Sequence, residues 1–430
     1  MPQLSPELLA FGLLALGLVP SAIVVLRRWP RLGLIGYILV IAFIPIWVVV
    51  PLIVQWPLIA AVGIVVIGGI LATRRTALWA TPIDFLMVAL VLVSIAPFAV
   101  GAQTIPPVFA ALATWLGAYL VGRLGTPIVG YGWICDVIAV VFTIVAALAI
   151  IEFVTGWHGL SSWGPSNSAR VVWGTIQERG GLARVEGAFG HSIALGSALA
   201  MTAVLTLTSR FAASVRIPMI AVQVIAVGLT FSRTALICAV LGLVIAVVSL
   251  EGLSRRIRGV LVVALVGAAA IALPLLQDVF ERADEAAGSA AYRGRLLDLL
   301  PEIALFGTSG AVQYAPDGTV YFGTFQSIDS QLVLFGVAYG WMTLGLVLLL
   351  LLLAVGGTIA GRGSSASIAV VAQIPALMTV ALITQYEYLF WFVVGVAAAD
   401  FARRTSPPGV GATMPAQTLT GARPREGASR

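Results

Sequence analysis

Arg184, His191, Arg233, Arg293, Arg295, Asp329 and Glu387 are the residues whose type and spacing could do chemistry. They lie at the ends of apolar runs and in the two long loops, and ionisable groups inside a membrane are costly and usually functional. Arg233 is the most informative. It stands in Thr230-Phe231-Ser232-Arg233-Thr234, between two apolar runs with almost no linker. A guanidinium is planar, permanently charged and shaped to grip phosphate oxygens. The competing reading is a side chain that snorkels to lipid headgroups; the tight turn favours contact with an anionic ligand. Arg184 opens Arg184-Val185-Glu186-Gly187-Ala188-Phe189-Gly190-His191. It suits the same ligand, or a local ion pair with Glu186. His191 could act as a base or cap the following helix, and the structural role is the commoner one for an isolated histidine.

Residues 290–304 read as an amphipathic helix able to lie on a membrane surface, with Tyr292, Leu296, Leu299, Leu300 and Ile303 on one face. Arg293 and Arg295 flank that stripe on opposite sides. Arg295 has Asp298 at i+3 and Glu302 at i+7, so its charge can be neutralised locally. Arg293 has Ser289 and Leu297 at its i±4 positions, which leaves its charge for a ligand phosphate. Asp329 stands before the apolar run 330–355. It is a candidate general base, and equally a helix N-cap. Glu387, in Tyr386-Glu387-Tyr388, is a weaker base or a partner for one of the arginines.

The elements that must position these groups are apolar runs near 8–26, 32–50, 55–72, 83–101, 106–122, 133–154, 191–208, 217–231, 234–250, 259–276, 330–355, 366–384 and 388–402. Counted as helices of about 20 residues, they make an all-α, polytopic bundle with about 12–13 spans. Pro45, Pro51 and Pro57 interrupt the second and third runs, which read as two ordinary spans or a kinked pair. The first run has Glu7 before it and Arg27-Arg28 after it, and reads as a retained helix. Placing Arg27, Arg28 and Arg31 inside and alternating puts Arg74-Arg75, Arg123, Arg210, Arg216, Arg255-Arg256, Arg258, Arg362 and Arg403-Arg404 on the same cytoplasmic side. The N-terminus is then outside and the C-terminus inside. Two long loops, about 155–190 and 277–328, face the exterior, and 403–430 reads as a disordered cytoplasmic tail after a membrane domain of 1–402. Outer-face groups also include Glu152, Arg170, Arg179 and Glu186. Arginines on that side run against the orientation rule, and an anionic ligand at the outer leaflet is a reason for them.

Composition excludes several classes. Side chains are 60% hydrophobic and 10% charged, about half the charged fraction of a soluble domain. That rules out a soluble enzyme, a disordered chain and a nucleic-acid-binding domain. A membrane β-barrel would alternate polar and apolar residues, which these runs do not. Cys135 and Cys238 sit in apolar runs with no disulfide or metal-ligand spacing. No GxSxG, P-loop or HExxH motif occurs.

The motifs then fall in a telling order. Arg184-x-x-Gly187-x-Phe189 precedes a span, and Ser232-Arg233-Thr234 makes an outer turn. A large outer loop follows with Arg-x-x-x-Leu at Arg293–Leu297 and again at Arg295–Leu299. Leu305-Phe306-Gly307 with Gly310 comes next, then Asp329-Ser330-Gln331-Leu332 with Gly340 beyond. Over about residues 184–350 this resembles the O-antigen ligase and O-antigen polymerase superfamily. Ligases of that superfamily generally carry His-Asn where this chain has Asp329-Ser330, and some polymerase-like members carry Asp, which tilts the resemblance toward a polysaccharide polymerase or an unassigned glycan transferase. The resemblance implies glycosyl transfer at the outer face of the plasma membrane. The donor would be a glycan on a polyprenyl diphosphate and the acceptor a glycan or lipid hydroxyl, with no nucleotide, metal or other cofactor. Arg184, Arg233, Arg293 and Arg295 would hold the diphosphate, Asp329 would take the acceptor proton, and His191 and Glu387 would be auxiliary. The alternative is a transporter or flippase of lipid-linked glycans, for which Gln223 and Gln373 are the polar mid-span residues.

Overall fold

The computed structural model describes residues 6–51, 55–73, 79–251, 253–263, 267, 292, 294–314 and 320–405. The chain is mostly helical. Its main helices are α1 (Pro6–Arg28), α2 (Pro30–Phe43), α3 (Leu58–Leu71), α4 (Pro82–Ile95), α5 (Ile105–Val129), α6 (Tyr131–Thr155), α7 (Ser192–Thr206), α8 (Ala213–Leu229) and α9 (Arg233–Ser249). After the second long loop come α10 (Gln331–Tyr339), α11 (Trp341–Ile359), α12 (Ser365–Ala372), α13 (Ile374–Thr379) and α14 (Thr384–Thr405). Among the described residues four helices are long and apolar enough to cross a membrane: Pro82–Val100, Ile105–Val129, Tyr131–Thr155 and Trp341–Ile359. These mark a membrane protein. Shorter apolar helices include α2, α3, α7, α8, α9 and Ser365–Thr379.

The proline break expected between runs 32–50 and 55–72 is present, and two further runs are cut where no break was expected. Prolines break 32–72 into α2 and α3, joined by a two-stranded hairpin of β1 (Val49–Pro51) and β2 (Gln55–Pro57), with Val50 opposite Trp56. Run 330–355 breaks at Gly340, whose φ of +93° suits glycine. A β-carbon there would lie 2.8 Å from the Leu305 carbonyl oxygen. The Leu305-Phe306-Gly307 stretch crosses this break and takes up its backbone groups: Gly307 N–H donates to Tyr339 O at 3.1 Å and Trp341 N–H to Ala304 O at 2.9 Å. Run 366–384 breaks at Gln373 and ends in an extended segment before α14.

The core runs through α5, α7 and α14. Almost every residue of α7 is buried, as expected of a helix that is apolar all round. A second, small cluster gathers Leu296, Leu299 and Ile303 with Ile328, Val333 and Val337. The stripe read in 290–304 thus packs on α10 rather than lying free on a membrane surface. Polar links sort by the two ends of the helices. At one end Arg210 pairs with Asp136, and Tyr131 bonds Ser365. Buried Arg123 pairs with Asp84 there, beside the Thr81 cap of α4. At the other end Gln385 donates to Ile44 O and Ala188 O, and Asn167 donates to Trp47 O. The helix α14 continues to Thr405 and places Arg403 and Arg404 on buried Asp400, so the expected tail boundary at 403 moves past that helix. Residues 406–430 lie outside the described set.

Candidate functional site

The end marked by Gln385 and Asn167 also carries a hydrogen-bonded frame around the Thr230–Arg233 turn. Its first part is a short hairpin, β3 (Glu178–Arg179) with β4 (Leu182–Ala183). Gly180 and Gly181 join the strands with φ of +57° and +77°, the left-handed pair a two-residue hairpin turn requires. Gln177 and Arg184 flank it, and Arg184 N–H donates to Gln177 O at 2.9 Å. The hairpin sends its arginines to the neighbouring turn. Arg179 Nη1 donates to Phe231 O at 2.8 Å, and Arg184 Nε donates to Thr230 O at 2.8 Å. Gln177 Oε1 accepts from both Arg184 Nη1 and Ser192 Oγ.

Buried carboxylates fix the base of this loop. Glu152, at the end of α6, accepts from the backbone N–H groups of Glu186 and Gly187 at 3.1 and 3.0 Å, and pairs with His158 at 2.7 Å. Glu186 Oε1 accepts from Gln177 N–H at 2.9 Å, while its Oε2 is buried with no hydrogen-bond partner. Burial pushes the Glu186 carboxyl up to about 7; the Gln177 N–H opposes this, Glu152 adds to it and Arg184 opposes it. His191 stands outside α7 as its cap, Nδ1 accepting from Ile193 N–H. Burial, with Arg184 second, pushes its imidazole down to about 4, so it is neutral at pH 7. The capping role expected for His191 holds.

The Glu186 carboxyl yields a pH prediction. Its folded value lies above the ordinary 4.5, so its contribution to stability is fully present below 4.5 and is lost as pH rises through about 7. The difference across that window is on the order of 3 kcal/mol. Glu186→Gln is expected to melt higher than the wild type at pH 8 and to lose the part of the fall in stability between pH 4.5 and 7 that this carboxyl contributes. Parallel melting curves against pH for the two proteins would remove this assignment.

Arg233 is exposed at the first position of α9, which Ser232 caps by accepting from Ala235 N–H. Phe231 before it has φ +46°, and Thr384 at the start of α14 has φ +51°. Non-glycine residues held there cost about 1–3 kcal/mol each and gather at functional sites. Thr234 bonds Thr379 at 3.2 Å, at the end of α13. Gln331 N–H donates to Val380 O at 3.1 Å, and Gln331 Oε1 accepts from Leu382 N–H. The segment 379–382 therefore bridges the Arg233 turn to the start of α10, where Asp329 stands exposed. The cap of α10 is Ser330, accepting from Val333 N–H, and not Asp329. The cap reading of Asp329 is corrected.

The other expected residues divide. Arg295 is exposed, and among the described residues it forms no ion pair with Asp298 or Glu302. The chain turns 3₁₀ over Leu297–Glu302, with Pro301 inside, so the α-helical spacing assumed for that pairing does not hold. Arg295 and Asp329 both act electrostatically on the Tyr292 hydroxyl, which places them around one side chain. Glu387 accepts from Trp115 Nε1 at 2.8 Å, in an aromatic cluster with Tyr339 and Trp391. Among the described residues it is not ion-paired with an arginine. Trp115 lies in a π-helical stretch, Ala110–Leu116, within α5. Arg293 lies outside the described residues.

Neither a family model nor a curated protein matches the chain. The functional reading rests on the residues themselves. Among the described residues no group of three or more His, Cys, Asp or Glu side chains is placed to hold a metal ion. Both cysteines are buried free thiols. Sequence reasoning missed Gln177 as the joint between Arg184, Ser192 and Glu186, because an isolated loop glutamine carries no signal. Glu152 and Arg179 were visible only as outer-face charges.

Proposed function

We propose that the chain is a multi-pass plasma-membrane glycosyltransferase of about 12–13 spans, similar to O-antigen polymerases and ligases. It moves a glycan from a polyprenyl diphosphate to a glycan or lipid hydroxyl at the outer face. The basic loops set the cytoplasmic side and leave the N-terminus outside and the C-terminus inside. The observation that carries the reading is the linkage of the arginine hairpin, the Arg233 turn and the Asp329 segment through Thr230, Phe231, Thr379 and Val380.

In this reading buried Arg184 holds the turn, and Arg233 at the N-terminus of α9 faces the diphosphate, a position that favours anions. The acceptor oxygen attacks the anomeric carbon. The bond from that carbon to the diphosphate oxygen breaks, and the diphosphate leaves with the electron pair. Asp329 takes the acceptor's proton, and a single displacement inverts the anomeric centre.

The test is a reconstituted assay. Purified protein in lipid receives a polyprenyl-diphosphate oligosaccharide and host acceptor glycans, and free polyprenyl diphosphate is followed without nucleotide or added metal. Release that collapses in Asp329→Asn and Arg233→Ala supports the transferase. The helix broken at Gln373 favours a second reading, a flippase, since broken helices are frequent in transporters. Movement of the intact lipid-linked glycan between leaflets with no diphosphate release would replace the first reading with the second.

A further inference from the structure

We propose that the end carrying the Arg123–Asp84 and Arg210–Asp136 pairs binds an anionic phospholipid of the adjoining leaflet. Its acyl chain would lie in a cleft between α4, α11, α12 and α14, with its phosphate on Arg362. The cleft has a volume of about 250 Å³. Leu350, Leu353, Val370 and Val394 make its walls apolar. Gly356 and Gly357 create the space: a β-carbon built on either meets no atom within 4 Å.

An apolar cleft beside hydrocarbon is filled by hydrocarbon. Left empty, its walls lose dispersion contacts, and water would find too few polar partners along them. A lipid tail is the chain at hand, and the mouth selects which lipid. Arg362 is exposed there, and among the described residues its side chain makes no hydrogen bond or ion pair. Ser364 and Ser367 also line the cleft, with their hydroxyls engaged in the cap of α12. Asp400 also lines the cleft, but Arg403 at 2.8 Å and Arg404 at 2.6 Å neutralise it. Asp84, next to lining residues Pro82 and Ile83, is matched by Arg123. The uncompensated charge at the mouth is positive, which complements a phosphodiester headgroup bearing net negative charge.

The proposal is independent of glycan transfer and is tested by binding. Purified full-length protein in detergent is titrated with phosphatidylglycerol, and separately with phosphatidylcholine of the same chains, and adducts are measured by native mass spectrometry. Wild type is expected to hold one phosphatidylglycerol roughly fivefold more tightly than phosphatidylcholine, the preference one arginine near a membrane surface confers. Arg362→Gln should bring the two lipids to parity with phosphatidylcholine binding unchanged. Gly357→Leu adds bulk to the cleft lining at a position where a β-carbon meets no atom within 4 Å, and should remove that adduct for both lipids. Its melting temperature should match or exceed that of the wild type, because leucine is the better helix former. Gly356→Leu repeats the test from the adjacent position if the first variant melts early. Equal binding of the two lipids by the wild type overturns the proposal, as does an adduct that survives filling of the cleft.

Discussion

Gly395→Ala and Gly122→Ala are each expected to remove most of the folded protein. A β-carbon at Gly395 would lie 2.1 Å from Tyr119 O, and one at Gly122 would lie 2.2 Å from Phe392 O. The obstacles are backbone carbonyls of the opposite helix, so no side chain can swing aside to admit the methyl group. The glycines face each other across α5 and α14, where small residues let membrane helices approach closely. The approach also fixes what both helices carry: Trp115 on α5 donates to Glu387 on α14, and Thr114 donates to the Tyr388 hydroxyl. Overpacking a core costs about 1–3 kcal/mol when side chains can yield, and a backbone collision belongs at or above the top of that range. The readout is monodisperse protein after detergent extraction together with its melting temperature. Gly345→Ala, where an added β-carbon meets nothing within 4 Å, is the control. A Gly395→Ala protein that melts within about 2 °C of the wild type, a small shift for a domain of any size, would mean that the helices separate more easily than their geometry implies.

The division between what the residue pattern encodes and what only the folded chain reveals follows from the kind of contact involved. Charges at the ends of apolar runs are legible, because a membrane makes a misplaced charge costly. Arg184, Arg233 and Asp329 could be singled out that way, and the pairing of basic loops at one end followed from the same rule. Contacts to backbone are not legible. Arg184 and Arg179 bind carbonyls of Thr230 and Phe231, groups every residue possesses. The left-handed conformations of Phe231 and Thr384 are equally hidden, since neither residue is the glycine that usually marks one. Run length misled at Gly340, because the break depends on the Leu305–Gly307 stretch packing against it from a distant loop. Arg295 shows the limit of periodicity: its pairing with Asp298 and Glu302 presumed an α-helix that becomes 3₁₀ at Leu297.

Arg233→Ala is expected to lower the rate of polyprenyl diphosphate release about 100-fold to 1,000-fold, the usual loss when one preorganised donor to developing charge is removed. Arg233→Lys should retain part of the activity, because it keeps the charge and loses the planar fork that meets two phosphate oxygens. Stability should change little by comparison, since the contacts of an exposed arginine are worth about 0–1 kcal/mol. Arg233 is exposed, and it is the first residue of α9, where the helix dipole disfavours a cation by about 0.3–1 kcal/mol. Ser232 supplies the cap there, so removing the guanidinium does not uncap the helix. An anion bound there would face both the helix dipole and the guanidinium, and each favours negative charge. The discriminating pattern is therefore activity falling by two orders of magnitude or more while the melting temperature holds. Arg184→Ala should behave differently, losing activity and stability together, because that side chain is buried and ties the hairpin to Thr230. Activity of Arg233→Ala within about threefold of the wild type, far short of the loss expected for such a donor, would remove Arg233 from the reaction and with it the assignment of the α9 N-terminus as the diphosphate site.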